Sequence, residues 1–318
     1  MLTRRRVAVF VAMVMVMSVS GWSQASEITP VKLLGGGTDQ WYASVNANWL
    51  GWSTNAAGSP GHYDAYVRSL VGGVLTGPSF KVNAATTTGL APDLQSDADT
   101  VAYQQINRAG RQSTIYTVDV GTQPFARVAP PGLNSPDWEY LPAISQSWIL
   151  FGREAGRHGG IFLYNRTTHA VTTLTNPPIA PNGYSRVTPD DVTETYATWT
   201  RCGTTCNVYY YDIASHTTAQ VPNPHRIFYY ASSVSDATGN IYFVRSGNGC
   251  GVAVKIFRWH IGDPGAYTTV ASLPRGYDGY PRTSTFNDGT HDTVSFQRQK
   301  CAGRYNSDLY QVPSADTA

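Results

Sequence analysis

The chain has 318 residues and a formal charge of +2, with 42% hydrophobic, 12% aromatic and 14% charged residues. Soluble domains carry about 25% charged residues. This composition excludes a disordered chain or a coiled coil and argues against a basic nucleic-acid binder.

At the N-terminus, Arg4, Arg5 and Arg6 precede an apolar run from Val7 to Val19, and Ser23-Gln24-Ala25 offers small residues for a cut after Ala25. This is the pattern of a secretory signal peptide over residues 1–25; an uncleaved anchor is the alternative, although the run is short for a bilayer. Cleavage would remove three Arg and no acid, leaving 20 basic against 21 acidic residues. Long-range attraction to nucleic acid or anionic lipid is therefore not expected. The mature chain, residues 26–318, is expected to be a single domain, secreted or periplasmic, monomeric and not inserted in a membrane.

The rest of the chain repeats. An aromatic residue or Leu opens a short segment six times, at Trp41–Val45, Leu90–Leu94, Tyr140–Ile144, Tyr184–Thr188, Tyr230–Val234 and Tyr280–Ser284, at intervals of 44 to 50 residues. A second aromatic follows each opener: Trp52, Tyr103, Phe151, Trp199, Phe243 and Phe296. Third strands are expected at Ile115–Val120, Ile161–Asn165, Val208–Asp212, Ile256–His260 and Asp308–Val312, and weaker fourth strands at Phe125–Ala129, Ala170–Leu174, Ala219–Pro222 and Tyr267–Ala271. Each segment is rich in β-branched and aromatic residues and bounded by Gly, Pro, Asn or Asp. Four short strands per unit at this period are what a propeller blade needs, because a lone four-stranded sheet cannot bury both faces. The sixth unit runs out after its third strand, and Ile28–Leu34 is the candidate for its fourth. The sequence thus predicts an all-β, six-bladed β-propeller whose last blade is completed by the N-terminal strand, which removes an open edge.

Ser235-Asp-Ala-Thr-Gly-Asn-Ile-Tyr-Phe-Val-Arg245 resembles the Ser-Pro-Asp-Gly turn and following strand of TolB-type WD-like repeats. Thr188-Pro-Asp-Asp191 with Tyr196–Arg201 is a looser copy. The resemblance implies a six-bladed propeller. It does not imply a Tol-system role: TolB proteins carry an α/β domain before the propeller, for which this chain is expected to have no room, so a stand-alone exported propeller is expected.

Strands alternate in direction within a blade, so the starts of the innermost strands and the loops joining second to third strands share one face. Three groups of residues are expected there. Cys202, Cys206, Cys250 and Cys301 suggest disulfides in an exported chain, with Cys202–Cys206 closing its own hairpin and Cys250–Cys301 tying neighbouring blades. Zinc and crossed pairings are the alternatives. Arg153, Arg201, Arg245 and Arg298 recur two residues after the second aromatic; Arg suits carboxylate or phosphate recognition through its planar fork, and the bland alternative is that each bonds a neighbouring loop. Asp39, Asp137, Glu139 and Asp278, with Trp41, Trp138, Tyr277 and Tyr280, offer acids and rings just before the innermost strands for a carbohydrate or peptide surface, against the alternative of ordinary turn chemistry.

No catalytic residue is assigned. Gly-x-Ser-x-Gly is absent, and the seven His lack metal-ligand spacing. No metal or cofactor is expected, an axial calcium ion being the one considered. The function read from the sequence is recognition or scaffolding of a protein, peptide or glycan on the loop face. The alternative is a propeller hydrolase or lyase acting on carbohydrate through axial carboxylates.

Overall fold

The computed structural model describes residues 31–34, 40–55, 63–84, 87–95, 98–107, 112–180, 186–223, 228–246, 254–273, 277–278, 283–287, 289–300 and 307–313. The signal peptide region, Asp39, Tyr280, Cys250 and Cys301 lie outside the described residues, and with them the expected Cys250–Cys301 bond.

Among the described residues, antiparallel pairing makes six units, five of four strands and a sixth that also includes the short strand Tyr277–Asp278. The first is Gln40–Val45, Trp49–Asn55, Tyr63–Val71 and Val74–Lys81. The second is Thr87–Leu94, Thr100–Asn107, Ser113–Asp119 and Arg127–Val128, joined by one bridge to the third, Trp138–Ile144, Trp148–Ala155, His158–Asn165 and Val171–Thr175. The fourth is Val187–Val192, Tyr196–Cys202, Cys206–Asp212 and Thr217–Gln220, and the fifth is Phe228–Val234, Asn240–Ser246, Val254–His260 and Thr268–Leu273. The sixth contains Thr283–Asn287, Asp292–Lys300 and Ser307–Pro313, and its outer strand is the N-terminal Val31–Leu34, with Lys32 opposite Tyr310 and Leu34 opposite Leu309. The ring is closed as the sequence predicts, so the chain is an all-β propeller. The outer strands of the first unit, Tyr63–Val71 and Val74–Lys81, were not distinguished in the sequence.

The apolar core is divided among the seams. Ala65, Val67, Tyr103 and Val118 join the first and second blades, and Ile115, Ile144, Ile149 and Phe151 join the second and third. Ala143, Ile161, Trp199 and Tyr211 join the third and fourth. Val208, Tyr229, Phe243 and Trp259 join the fourth and fifth, and Val244, Ile256, Val294 and Phe296 the fifth and sixth. Val45, Trp52 and Leu309, with Leu33 and Leu34 against them, close the ring. The period-2 alternation of each strand sends alternate residues to opposite seams.

Polar side chains register one blade on the next. Tyr42, Ala91, Leu141 and Ala231, each directly after an opener, have φ of 53°, 47°, 48° and 53°. All four lie in a bulge of the innermost strand. A left-handed non-glycine residue is unfavourable by roughly 1–2 kcal/mol. The bulge turns its amide toward the preceding blade, where Tyr42 donates to Gln297 Oε1 (3.3 Å), Ala91 to Ser53 Oγ (3.0 Å), Leu141 to Gln104 Oε1 (3.4 Å) and Ala231 to Thr200 Oγ1 (3.1 Å). Two residues further on, Ser44 accepts from the Leu94 amide, Asp93 from Ile144, Asp191 from Val234 and Ser284 from Val45, at 2.8–3.3 Å. Ala143 occupies this place in the third blade and has no acceptor. There the Val192 amide bonds Oδ1 of its own neighbour Asp191.

The third blade also replaces the second-strand polar residue by Gly152, because the Tyr140 ring fills that space and its hydroxyl donates to the Val187 carbonyl at 3.1 Å. A Cβ on Gly152 would stand 2.2 Å from the ring. Gly152→Ala is therefore expected to cost about 1–3 kcal/mol through overpacking, read as a lowered thermal midpoint.

Two sequence expectations are corrected in the fourth blade. Thr200, which follows the second aromatic, pairs with Thr188, so Thr188 stands where the openers stand, and Tyr184–Thr188 is four residues out of phase. Thr188-Pro-Asp-Asp191 is consequently part of the innermost strand Val187–Val192 and not a turn. Pro189 holds φ near −65° and cannot adopt the left-handed bulge; Asp190 instead accepts from Thr200 Oγ1 (2.7 Å) and Ser232 Oγ (2.8 Å). The Ser235 copy is a true turn, closed by the Ser235 amide on the Asn240 carbonyl at 3.0 Å.

Candidate functional site

The candidate face lies where innermost strands begin and second strands end. Its best-defined corner is in the third blade. Glu139, fully buried, faces Arg153 across the hairpin. Arg153 Nε donates to Glu139 Oε1 at 2.9 Å, and its Nη2 donates to the Leu133 carbonyl at 2.5 Å. The guanidinium lies over the rings of Phe151 (5.2 Å) and Phe162 (5.1 Å). Ser135 donates to the same Glu139 oxygen from its amide (3.0 Å) and hydroxyl (2.6 Å), and the Asp137 amide donates to Ser135 Oγ at 3.1 Å. This clamp fixes the segment that enters the innermost strand. It presents Asp137 and Trp138, both half-buried, at the strand's start. Arg153 is thus the bland case among the four Arg: it holds a loop.

Arg201 is exposed and stands opposite Val187 and Asn207. The adjacent Cys202 and Cys206 form a disulfide that closes the hairpin, as expected from the sequence. By loop entropy this bond is worth about 2 kcal/mol, so Cys202→Ser with Cys206→Ser is expected to lower stability by that amount, and the oxidised protein alone should lose stability on reduction. Arg245 is half-buried, opposite Tyr229 and Lys255, with its guanidinium 5.8 Å from the Phe257 ring. Arg298 pairs with Asp308 in the backbone ladder, and Tyr277 and Asp278 pair with Lys300 and Gln299. Trp41 is half-buried opposite Ser53, its indole N–H buried without an acceptor. The structure therefore brings Asp137, Trp138 and Arg153 together and places Arg201 and Arg245 at equivalent points on the next two blades. Trp41 lies on the first blade, two blades from Asp137, Trp138 and Arg153. Glu139, expected from the sequence only as one of the acids before the innermost strands, is the hub of the clamp; its pairing with Arg153 across the hairpin was not foreseen.

Carboxylates nearer the axis and at the opposite end are occupied by seams. Asp93, Asp190 and Asp191 accept the bonds described above. Asp99 accepts from Trp49 Nε1 at 2.7 Å, Glu194 from the Ser147 amide at 3.0 Å, and Asp236 from the Glu194 amide at 2.8 Å and from Thr193 Oγ1. For Glu194, burial pushes the pKa up, but hydrogen bonding from Ser147 and its neighbours outweighs it, and the net direction is down. Among the described residues no group of three or more His, Cys, Asp or Glu could hold a metal ion.

No sequence-family profile and no curated protein matches the chain. Solved structures do. TolB from Acinetobacter baumannii is 17% identical with a TM-score of 0.55, over 84% of this chain and 64% of that one. This chain therefore spans less than two thirds of that protein. A putative TolB from Agrobacterium tumefaciens is 13% identical with a TM-score of 0.56, over 87% and 91%. The β-propeller domain of the Trilobed protease from Pyrococcus furiosus, described as having an open velcro topology, is 9% identical with a TM-score of 0.52, over 88% and 94%. At these identities the likeness speaks to architecture alone, and on it the chain has the fold of a TolB-like β-propeller.

Proposed function

We propose that the chain is an exported binding or scaffolding propeller that recognises a protein, peptide or glycan on the face where its innermost strands begin. One observation carries this reading. Asp137, Trp138 and Arg201 stand on strand ends braced by the buried Glu139–Arg153 clamp and by the Cys202–Cys206 hairpin. Groups held in place before a partner arrives lose less freedom on binding, and a half-buried ring beside an acid and a cation suits an amphipathic partner. The alternative, a carbohydrate hydrolase or lyase, needs two free carboxylates facing across a cleft, and Asp93, Asp190 and Asp191 near the axis are engaged by neighbouring blades.

The test uses the mature oxidised protein as bait against native envelope and culture fluid, with Asp137→Asn/Trp138→Ala as the control. A protein or glycan retained by the wild type and lost by the control is expected; equal retention moves the site elsewhere. Export is tested on the native protein, whose first residue should be Ser26. A full-length chain in the cytoplasm would overturn it.

A further inference from the structure

Among the described residues there are three ion pairs, and all lie on the candidate face. Lys81 pairs with Asp64 in the first blade, Arg153 with Glu139 in the third and Lys32 with Asp308 in the sixth, at 2.5, 2.9 and 2.8 Å. The second, fourth and fifth blades have no such pair among those residues, and in the fourth and fifth the cations cluster. There the face carries Arg186, Arg201, Arg245 and Lys255, none of them in an ion pair among the described residues. Position by position the contrast is sharp. The residue opposite Arg153 on the innermost strand is Glu139, opposite Arg201 it is Val187 and opposite Arg245 it is Tyr229. On its other side Arg245 stands directly opposite Lys255. Like charges placed directly opposite in a sheet are destabilising, so the fold gains nothing from this pair. The exposed Arg186 carbonyl accepts from the Cys202 amide at 2.8 Å, which sets Arg186 beside Arg201 and next to the disulfide-closed hairpin.

We infer that Arg186, Arg201, Arg245 and Lys255 form the docking site for an acidic peptide segment of a protein partner. This rests on the binding reading above and names its partner class. The charge is complementary, because Arg forks pair with carboxylates in two parallel bonds. The depth selects a peptide. Arg245 and Lys255 are half-buried and Arg245 lies against the Phe257 ring, whereas Arg201 is exposed. A carboxylate on a flexible Asp or Glu arm reaches both levels. A carboxylate fixed to a sugar ring, or a phosphate within a nucleic-acid backbone, is held too close to a bulky chain to follow that step. The mature chain's slight excess of acid over base also gives no general attraction for polyanions.

The probe is a fluorescein-labelled peptide alternating Glu and Ser, followed by fluorescence anisotropy on the mature oxidised protein at low salt. Saturable binding is expected, weakening as salt rises, with Arg201→Gln/Arg245→Gln binding about tenfold or more weakly. Arg68→Gln, a change in the first blade, should bind as the wild type does. Arg245→Gln alone should leave the melting temperature unchanged or raise it, since it relieves the opposition to Lys255. A lowered melting temperature would make Arg245 a structural residue and overturn the inference. No saturable binding, or equal binding by the double variant, would also overturn it. So would tighter binding of alginate or single-stranded DNA with the same dependence on Arg201 and Arg245, which would change the partner's class. A partner captured equally by the wild type and the double Arg variant, but lost by Asp137→Asn/Trp138→Ala, sinks this inference and leaves the binding reading standing. Absence of any partner counts against the binding reading itself.

Discussion

Removing residues 26–34 from the mature chain is expected to lower its stability by about 4 kcal/mol and to make it self-associate. Val31–Leu34 is the outer strand of the sixth blade, with Val31, Lys32 and Leu34 opposite Gln311, Tyr310 and Leu309. Leu33 and Leu34 pack against the cluster of Val45, Trp52, Leu70 and Leu309 that seals the last seam. Full burial of a Leu is worth about 1.5–3 kcal/mol, so two half-buried Leu supply about 2–3 kcal/mol. The lost ladder bonds add about 1 kcal/mol each. The Lys32–Asp308 pair, half exposed on the Lys side, adds little. The deletion also bares Ser307–Pro313 as an edge strand. Urea denaturation and light scattering check both parts. A truncated chain with the wild-type midpoint that stays monomeric would show that the ring does not depend on its closing strand.

The sequence carried the architecture because blade geometry repeats. The aromatics Trp52, Tyr103, Phe151, Trp199, Phe243 and Phe296 sit at one structural position, and an aromatic inside a strand is forced into a seam whatever surrounds it. The fourth blade was misphased for a physical reason. Its innermost strand carries Pro189 and two acids, a composition that reads as a turn, yet those acids accept from Thr200 within the blade and from Ser232 and the Val234 amide across the seam. The repeat of Ser44, Asp93, Asp191 and Ser284 was equally invisible. Short polar residues near a strand end look like loop chemistry until the neighbouring blade supplies the amide.

The candidate face was legible as a set of positions and illegible as a set of roles. Four Arg recur in register, and the sequence gives no way to separate a clamp from a free cation. What separates them is the residue across the strand: Glu139 neutralises Arg153, whereas Val187 and Tyr229 leave Arg201 and Arg245 uncompensated. Cross-strand identity depends on register, and register depends on the bulge after each opener, where one strand holds an extra residue. Spacing in the sequence counts that residue, and the sheet does not.

Asp292 is the group whose loss should be felt most among single residues. It is fully buried at the start of the sixth blade's second strand. Its Oδ1 accepts from Ser235 Oγ at 2.6 Å and Asn287 Nδ2 at 2.8 Å; its Oδ2 accepts from Thr238 Oγ1 at 2.6 Å and Tyr242 OH at 2.7 Å. Ser235, Thr238 and Tyr242 belong to the fifth blade, so one carboxylate gathers a neighbouring turn and strand into its own hairpin. Asp292→Ala strands these buried donors, each costing about 1–3 kcal/mol when unpaired, and with partial relaxation a total loss of about 3–5 kcal/mol is expected. Burial alone would raise the pKa of Asp292, but the bonds from Asn287, Ser235, Thr238 and Tyr242 outweigh it and bring the net value below the ordinary one. Between the two values the unfolded chain therefore binds more protons than the folded one, so stability falls as pH falls. The contribution is complete above the unfolded value near about 4 and disappears as pH drops through the lower folded value. Asp292→Asn places an amide that donates where two oxygens accepted, so it should be destabilised at neutral pH and lose less further stability than the wild type on acidification. Urea midpoints at neutral pH and at about pH 3 test this. Equal acid losses in wild type and Asp292→Asn would mean that the buried carboxylate contributes nothing to the acid response, and the electrostatic part of this account of the fifth seam would fall with it.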